Sequence, residues 1–427
     1  YNYNHRYWID FSGSVVNSTK LPEGNRIGFS PTVGLGWLLS AEDFLAGSSM
    51  VDHLKLTTSV GILNTDVLID GYFLYDNVYT AQNWFAWDDN SYSNQRRGSI
   101  QGSNPDLFFA KRKEFNVGVE GSLFNRLLWF ESTFFITQLD DIPTQRFSQY
   151  PNYFSTFVPY TNYNCNQYTG FDLLLNIKRS IGQTRLNLGV NTTFVNSEIK
   201  RIDELYSDSY QNRTGKPVDA IFGLESDGFF MNATDIANHP MQAFGNVAPG
   251  DIKYLDQNKD NVINERDEVM IGRWIAPFNY ALNFSISYKN LTLFAQGTGS
   301  VGGNGMRTND YYWVDGDKKY SDVVLDRWTP STSNTATHPR LSSLQNSNNH
   351  RYSDFWIYST NRFDIRKVQV SYDLPANALR TTFFRELGVY VMGTNLITLS
   401  KNKDILDLNI GTAPQFRYFI LGIRSNF

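Results

Sequence analysis

Several segments of this chain alternate apolar and polar residues at period two, the pattern of a strand whose two faces meet different surroundings. In "FNYALNFSISY" (278–288), Phe278, Tyr280, Leu282, Phe284, Ile286 and Tyr288 share one face; Asn279, Asn283, Ser285 and Ser287 share the other. "RLNLGVNTTF" (185–194) sets Leu186, Leu188, Val190 and Phe194 against Arg185, Asn187, Gly189 and Asn191. "EFNVGVEG" (114–121) and "HLKLTTSVG" (53–61) behave alike. Soluble sandwich strands alternate too, so length and connection must separate the two kinds of sheet.

The pattern predicts strands over 4–16, 27–38, 53–63, 111–121, 126–139, 168–178, 184–200, 278–288, 290–298, 361–373, 385–398 and 416–427. Most reach ten residues or more, whereas the usual strand has about five or six and a tilted membrane strand about nine to eleven. The connections sort by parity. Those after the second, fourth, sixth, eighth and tenth strands are short, as in "RSIGQT" and "KN". Most of the others are long, notably 64–110, 201–277 and 299–360. A sandwich has no reason to sort its connections, whereas an outer-membrane barrel has short periplasmic turns and long extracellular loops. Long structureless loops also count against a compact soluble domain. The last strand, "FRYFILGIRSNF", puts Phe419, Leu421, Ile423 and Phe427 on one face and ends on Phe, as a barrel-closing strand does. The expected fold is all-β, a transmembrane antiparallel β-barrel, closed because a bilayer leaves no backbone group unpaired.

Composition agrees with this. The chain has 427 residues, more than a usual globular domain, but a barrel can wrap a long chain into one sheet. Aromatic residues make up 15%, with 31 glycines, a mixture suited to pleated surfaces and turns. The net charge of −4 and the lack of a basic stripe argue against nucleic acid as a partner. Cys165 is the single cysteine, which excludes an internal disulfide and a thiolate metal site. The five histidines have no metal-ligand spacing, and no GxSxG, Walker or GxGxxG motif occurs. No run of 18 apolar residues marks a transmembrane helix. The opening "YNYNHRYWIDFSGSV" is already strand-like, with neither Met nor leader, and reads as the later part of a longer protein.

Motifs spread over nearly the whole chain resemble one family. They are "FSPTVGLGWLLSAEDF" (29–44), "LKLTTSVG" (54–61), "NPDLFFAKRKEFNVGVE" (104–120), "LFNRLLWFESTFFITQLDDI" (123–142) and "GDIKYLDQNKDNVINERDEVMIG" (250–272). "DRWTP" (326–330), "HPRL" (338–341), "NRFDIRKVQVSYDLP" (361–375) and "LGVYVMGTNLITLSK" (387–401) follow, with Phe427 at the end. In this order and spacing they resemble the C-terminal half of the SusC/RagA-type TonB-dependent transporters. The resemblance implies the C-terminal part of a 22-stranded outer-membrane barrel with a plugged lumen. It also implies active import of oligosaccharides or oligopeptides, a SusD-like lipoprotein as lid, TonB acting through an N-terminal region, and a dimer of transporter–lid pairs. Two stretches depart from the family: "NKDILDLNIG" stands where a Gly-Tyr-Asp-Pro-Glu-like run is usual, and Phe108, Phe109 and Ala110 stand where Lys-Trp-Glu is usual. Those departures leave the substrate class open.

Residues 256–268, "DQNKDNVINERDE", lie in the long connection 201–277, which the parity places outside the cell. Asp256, Asn258, Asp260 and Asp267 occupy the first, third, fifth and twelfth places of an EF-hand-type loop, and Val262 offers its carbonyl at the seventh. Asn261 replaces the usual Gly of the sixth place, and Ile263 is expected to pin the loop to its base. No amphipathic helix flanks the loop. Two readings stand: a weak structural Ca²⁺ site, with an extracellular affinity of about 10⁻⁴–10⁻³ M, or an acidic turn closed by Asx hydrogen bonds. Neither requires a cofactor.

"NWFAWDDNSYSNQRR" (83–97) and "NDYYWVDGD" (309–317) place Trp84, Trp87, Tyr92, Tyr312 and Trp313 on long loops, with Asp88, Asp89 and Asp315 as hydrogen-bond acceptors. These rings suit substrate stacking, lid contact or an interfacial aromatic belt. Asp140 and Asp141 are adjacent, so a strand would point them to opposite faces, and an enzyme is not expected. Two other function classes fit the residues: a lone TonB-dependent receptor for metal chelates and a surface glycan-binding all-β protein.

Overall fold

The computed structural model describes residues 1–87, 92–154, 157–317, 319–344, 346–379, 384–409 and 413–426, without the side chains of 80–100, 152 and 376. Four strands open the chain: β1 (Asn2–Tyr3), β2 (Tyr7–Asn17), β3 (Ile27–Leu38) and β4 (Val51–Thr65). β5 (Val78–Trp87) and β6 (Tyr92–Gln101) form a hairpin of their own. β7 (Ala110–Leu123), β8 (Leu128–Gln145), β9 (Tyr160–Ile181) and β10 (Thr184–Arg201) follow. The next connection holds six short strands: β11 (Ala220–Gly223), β12 (Ser226–Phe229), β13 (Met241–Gln242), β14 (Ile252–Tyr254), β15 (Val262–Ile263) and β16 (Val269–Arg273). Then come β17 (Phe278–Tyr288) and β18 (Leu291–Val301), the short β19 (Asn304–Met306) and β20 (Ile357–Ser359), and finally β21 (Arg362–Asp373), β22 (Glu386–Leu399) and β23 (Tyr418–Asn426). Thirteen strands make one sheet in the order β1-β2-β3-β4-β7-β8-β9-β10-β17-β18-β21-β22-β23. Neighbours in that sheet are neighbours in sequence apart from the β5–β6 hairpin and the inserted short strands, the up-and-down order of a barrel wall.

The chain folds as two compact units. The first comprises residues 1–173, 195–205 and 212–218. Its register carries the alternation from strand to strand. Ile9 pairs with Leu35, Phe11 with Val33 and Val15 with Phe29; Val33 pairs with Val60, Val60 with Phe115, and Phe115 with Ile136. The opposite face reads Asp10, Gly34, Ser59 and Asn116 along the same direction. Phe11, Val15, Phe29 and Val60 are all more than half exposed. A soluble domain would cover such a row, whereas a bilayer takes it as its contact surface.

The second unit comprises residues 174–194, 206–211 and 219–427. Leu186, Ile286, Leu293, Val370, Val391 and Leu421 form one unbroken apolar ladder across β10, β17, β18, β21, β22 and β23. Gly189, Asn283, Gln296, Lys367 and Thr394 form a parallel ladder on the polar face. At about 3.4 Å per residue and a tilt of about 40°, the eleven residues of β17 span about 25 Å, the height of an outer-membrane apolar band. The tight turns use left-handed backbone: Lys289 follows β17 at φ +54°, and Gly182 follows β9 at φ +57°. No helix among the described residues is long and apolar enough to cross a membrane, which leaves crossing by strands untouched. The fold is the all-β transmembrane barrel wall that the alternation predicts. Phe427, the expected closing residue, lies outside the described residues.

Candidate functional site

The two longest connections of the second unit, 219–277 and 302–361, are not loose loops. β11 pairs with β16, β12 with β14, and β13 runs parallel to β15; β19 pairs with β20 in the other connection. A bridge from Leu224 to Ser353 joins the two connections. Both feed one core: Leu224, Phe244, Ile252, Tyr254 and Ile263 come from the first, Tyr312 and Trp356 from the second. Ile263 is fully buried, so it does pin the aspartate loop. The result is a folded ectodomain above the wall of this unit.

A carboxylate lies at its centre. Asp251 is wholly buried. Its Oδ1 accepts from the amides of Asn346 and Asn349, both at 2.9 Å, and pairs with Arg340 Nε at 2.8 Å. Its Oδ2 accepts from Arg340 Nη2 at 3.0 Å and from the Ala248 N–H at 2.8 Å. The preceding Gly250 has φ +92°, and a Cβ there would collide with the Trp328 ring, so the turn that delivers Asp251 needs glycine. Asn348 and Asn349 continue the network. Ile252 N–H donates to Asn349 Oδ1, Tyr254 OH donates to the Asn348 carbonyl, and Trp356 Nε1 donates to the Asn349 carbonyl. Burial pushes the Tyr254 hydroxyl well above its usual range, so it serves as a neutral donor. A buried polar network with its partners in place fixes one arrangement of the chain.

The aspartate loop folds on its own hydrogen bonds. Asp256 accepts from the N–H groups of Lys259 and Asn261, Asn258 from Asp260, and Asp260 from Val262. Lys259 and Asn261 take left-handed backbone at φ +61° and +65°, the role foreseen for Asn261. Asp267 is fully buried and accepts from Gln257 at 2.9 Å and Asn264 at 2.8 Å, completing a capping box with Asn264. The Val262 carbonyl accepts from the Asn264 amide at 3.4 Å. Arg266 brings a cation to Asp260 Oδ2 at 3.4 Å and to Asp208 at 3.1 Å. No group of three or more His, Cys, Asp or Glu side chains is arranged to hold a metal among the described residues. The five expected oxygens are thus turned largely to backbone N–H groups, and a guanidinium of the chain already stands at the ring.

The aromatic residues fall in three different places. Tyr312 is buried in the ectodomain core, not on the surface: the Arg307 guanidinium lies 5.9 Å from its ring, and its carbonyl lies 2.9 Å from His338 Nε2. That position makes Tyr312 part of the core of the second connection, set apart from the loop surface. Trp313 is half-buried, stacked on His350 at 5.3 Å and set edgewise against Trp356 at 6.3 Å. Asp315 pairs with His350 at 3.3 Å. Trp84, Trp87 and Tyr92 belong to the β5–β6 hairpin by backbone pairing, and their side chains lie outside the described set, as do Asp88 and Asp89 altogether. Asp140 is ion-paired to Lys113 and Arg201, and Asp141 to Lys111.

Sequence reasoning missed the Asp251 network. Three asparagines within four residues, 346–349, so close to Trp356 and with no glycine to make a turn, were the available signal.

No protein-family model matches the chain. Among curated proteins, it is 24% identical to TonB-dependent receptor P26 of Formosa agariphila, over 94% of this chain and 41% of that protein. It is 20% identical to TonB-dependent receptor P3 of the same organism, over 100% of this chain and 44% of that protein. It is also 20% identical to TonB-dependent receptor SusC of Bacteroides thetaiotaomicron, over 100% of this chain and 43% of that protein. Among solved structures, the RagAB peptide transporter matches with a TM-score of 0.76 at 19% identity, covering 100% of this chain and 46% of that one. The RagAB peptide importer in its open-open state matches with a TM-score of 0.78 at 19% identity, over 100% and 45%. The chain spans less than half the length of the relatives it matches, and the structural likeness fixes the fold.

Proposed function

We propose that this chain, a SusC/RagA-like portion of an outer-membrane barrel, supplies wall and ectodomain to a TonB-dependent importer of oligosaccharides or oligopeptides that works with a SusD-like lid lipoprotein. The observation that carries the reading is the union of a bilayer-height wall with a folded ectodomain built from its longest connections. The apolar face meets lipid and holds the wall in place. The polar face borders the path of the cargo. The ectodomain, locked around Asp251, gives the lid a fixed surface on which to dock and hinge. TonB would act through a region of the whole protein that this sequence does not contain, so no residue here is given that role. The carboxylates described above are not placed for bond cleavage; their work is positional.

The test is purification of the full-length protein from its native outer membrane in mild detergent, followed by mass spectrometry. A stoichiometric lipoprotein partner is expected, as is nutrient uptake that stops when TonB is deleted. An intact barrel that comes alone would overturn the lidded reading and favour a lone receptor. A protein that stays out of the membrane fraction would overturn the barrel reading and return a soluble glycan binder.

A further inference from the structure

The polar face of the second unit carries three cations, Arg362, Arg366 and Lys367, with a single carboxylate among them. β21 departs from regular pairing at one point. Gly297 pairs with Ile365 and Gln296 with Lys367, so Arg366 is the extra residue against β18. Against β22, Ile365 pairs with Ile397 and Lys367 with Thr394, so the irregularity is shared by that neighbour. In a regular strand Arg366 and Lys367 would face opposite ways. Here both face the polar side. Lys367 pairs with Gln296 on the polar ladder, and Arg366 donates from Nε to Thr298 Oγ1 at 3.0 Å and reaches Asp364 at 2.8 Å. Bulges of this kind re-aim side chains beside functional sites.

The local charge does not balance. Asp364 has a side-chain exposure of 2% and serves both Arg362 Nε at 3.2 Å and Arg366 Nη2 at 2.8 Å through one oxygen. Lys367 has no carboxylate within 4.0 Å among the described residues; its Nζ lies 5.6 Å from the centre of the Phe294 ring. Two guanidiniums therefore share one carboxylate, and the ammonium of Lys367 has none within ion-pair distance among the described residues. The side chains of Arg362 and Arg366 keep about a third of their surface open, at 32% and 31%. Arg362 binds Asp364 through Nε and has no other partner for its Nη groups among the described residues. Asp364 holds the two arginines apart from each other and in place, while the outer N–H fork of Arg362 and the ammonium of Lys367 remain to be answered. Fixed guanidinium forks with spare donors suit carboxylates. On the import reading above, this face borders the path of the cargo. Arg362 opens β21 directly after the second long connection, at the ectodomain end of the wall.

We infer that Arg362, Arg366 and Lys367 form a recognition point for carboxylate-bearing cargo, with Asp364 as the positioning residue. This rests on the import reading above and narrows its substrate class to acidic oligopeptides or uronate-containing oligosaccharides, which share the recognised group.

The experiment uses the full-length protein in detergent and its strain of origin. Four probes are titrated by microscale thermophoresis: an oligoglutamate, an oligogalacturonide, a neutral maltodextrin and a neutral Gly-Ser peptide. The proteins are wild type, Arg362→Gln, Lys367→Gln and the double variant. Wild type is expected to bind one of the acidic probes, less tightly as salt rises, and about tenfold less tightly with each cation removed. Which acidic probe binds identifies the cargo as peptide or glycan. Equal binding of acidic and neutral probes, or acidic binding unmoved in the double variant, would overturn the inference. So would variants that lower thermal stability without changing any probe's affinity, since the cations would then answer carboxylates of the protein itself. Uptake of the acidic probe by cells separates the two readings. Binding that depends on these cations without TonB-dependent uptake sinks the import reading and leaves the site standing.

Discussion

Replacing Asp251 by alanine tests whether the ectodomain is held together by its buried carboxylate. The change strands four partners: the Ala248 N–H, the Arg340 guanidinium, and the amides of Asn346 and Asn349. A buried donor left without an acceptor costs about 1–3 kcal/mol, and breaking a buried ion pair about 3–5 kcal/mol. The partners share one acceptor and Arg340 retains 27% side-chain exposure, so it can turn partly to water and the costs do not simply add. A loss of about 4 kcal/mol is expected, close to a thousandfold in the open population of the ectodomain. The wall should not feel it, because its ladder bonds lie elsewhere. The assay is limited proteolysis of the full-length protein in detergent, since cleavage follows the open population when reclosing is fast. Cleavage within 230–260 and 326–350 should speed up by two to three orders of magnitude, while the folded barrel keeps its heat-modifiable mobility on gels. Unchanged cleavage would refute the role of Asp251. Joint loss of the barrel would refute the idea that the ectodomain opens without the wall.

The other predictions follow the same structure. Phe284→Arg, in the middle of the apolar ladder of β17, should cost about 2–4 kcal/mol in bilayer folding assays, whereas Asn283→Arg on the polar face should fold nearly as the parent does. The aspartate loop, closed by its own hydrogen bonds and by Arg266, should show the same proteolytic resistance in EDTA and in millimolar calcium. Marked protection by calcium would instead make Asp256, Asn258, Asp260, Val262 and Asp267 a ligand set. Asp267→Asn should loosen the loop more than Asp256→Asn, because Asp267 is buried within its capping box. The Tyr311 hydroxyl donates to Asp322, and this bond raises its pKa to about 12. A raised pKa means that the folded state holds the proton more tightly. The stabilisation is therefore complete below about pH 10, the ordinary tyrosine value, and is lost as pH rises towards 12. Tyr311→Phe should remove that alkaline step from ectodomain unfolding, followed by proteolysis against pH.

The wall was legible wherever bilayer meets strand. The expected 27–38 and 278–288 coincide with β3 and β17, and 184–200 falls one residue short of β10. The misses are physical. β9 runs from Tyr160, yet alternation announces it only from 168, because "YTNYNCNQ" carries no apolar row. Where polar residues fill both faces of a strand, period two disappears. The β5–β6 hairpin likewise lies inside what read as a loop over 64–110. The bulge at Arg366 left only a faint trace: in "DIRKVQV" the apolar phase slips by one between Ile365 and Val368, and the registers on both sides place the extra residue. Tyr312 was offered for substrate or lid contact because it lies in a long connection, and composition there does not tell a core ring from a contact ring.

The ectodomain shows how long connections acquire a fixed shape without long strands. Its strands have two to five residues and so supply few backbone bonds. β14 pairs with β12 along one edge. Along the other, side-chain amides stand where a strand would be. Asn349 Oδ1 accepts from the Ile252 N–H, the Asn348 amide donates to the Ile252 carbonyl, and Gln242 Oε1 accepts from the Tyr254 N–H. An edge satisfied in this way is closed to other chains, which matters on a cell surface crowded with barrels. The amides are held in turn by Asp251, whose charge is met by Arg340 from the other connection. Two segments 89 residues apart in sequence thus depend on one carboxylate. Composition could not disclose this, because asparagine, glutamine and aspartate are the residues that sequence reading assigns to turns. Here they do the work of a β-strand, and they place a rigid surface at the mouth of the wall.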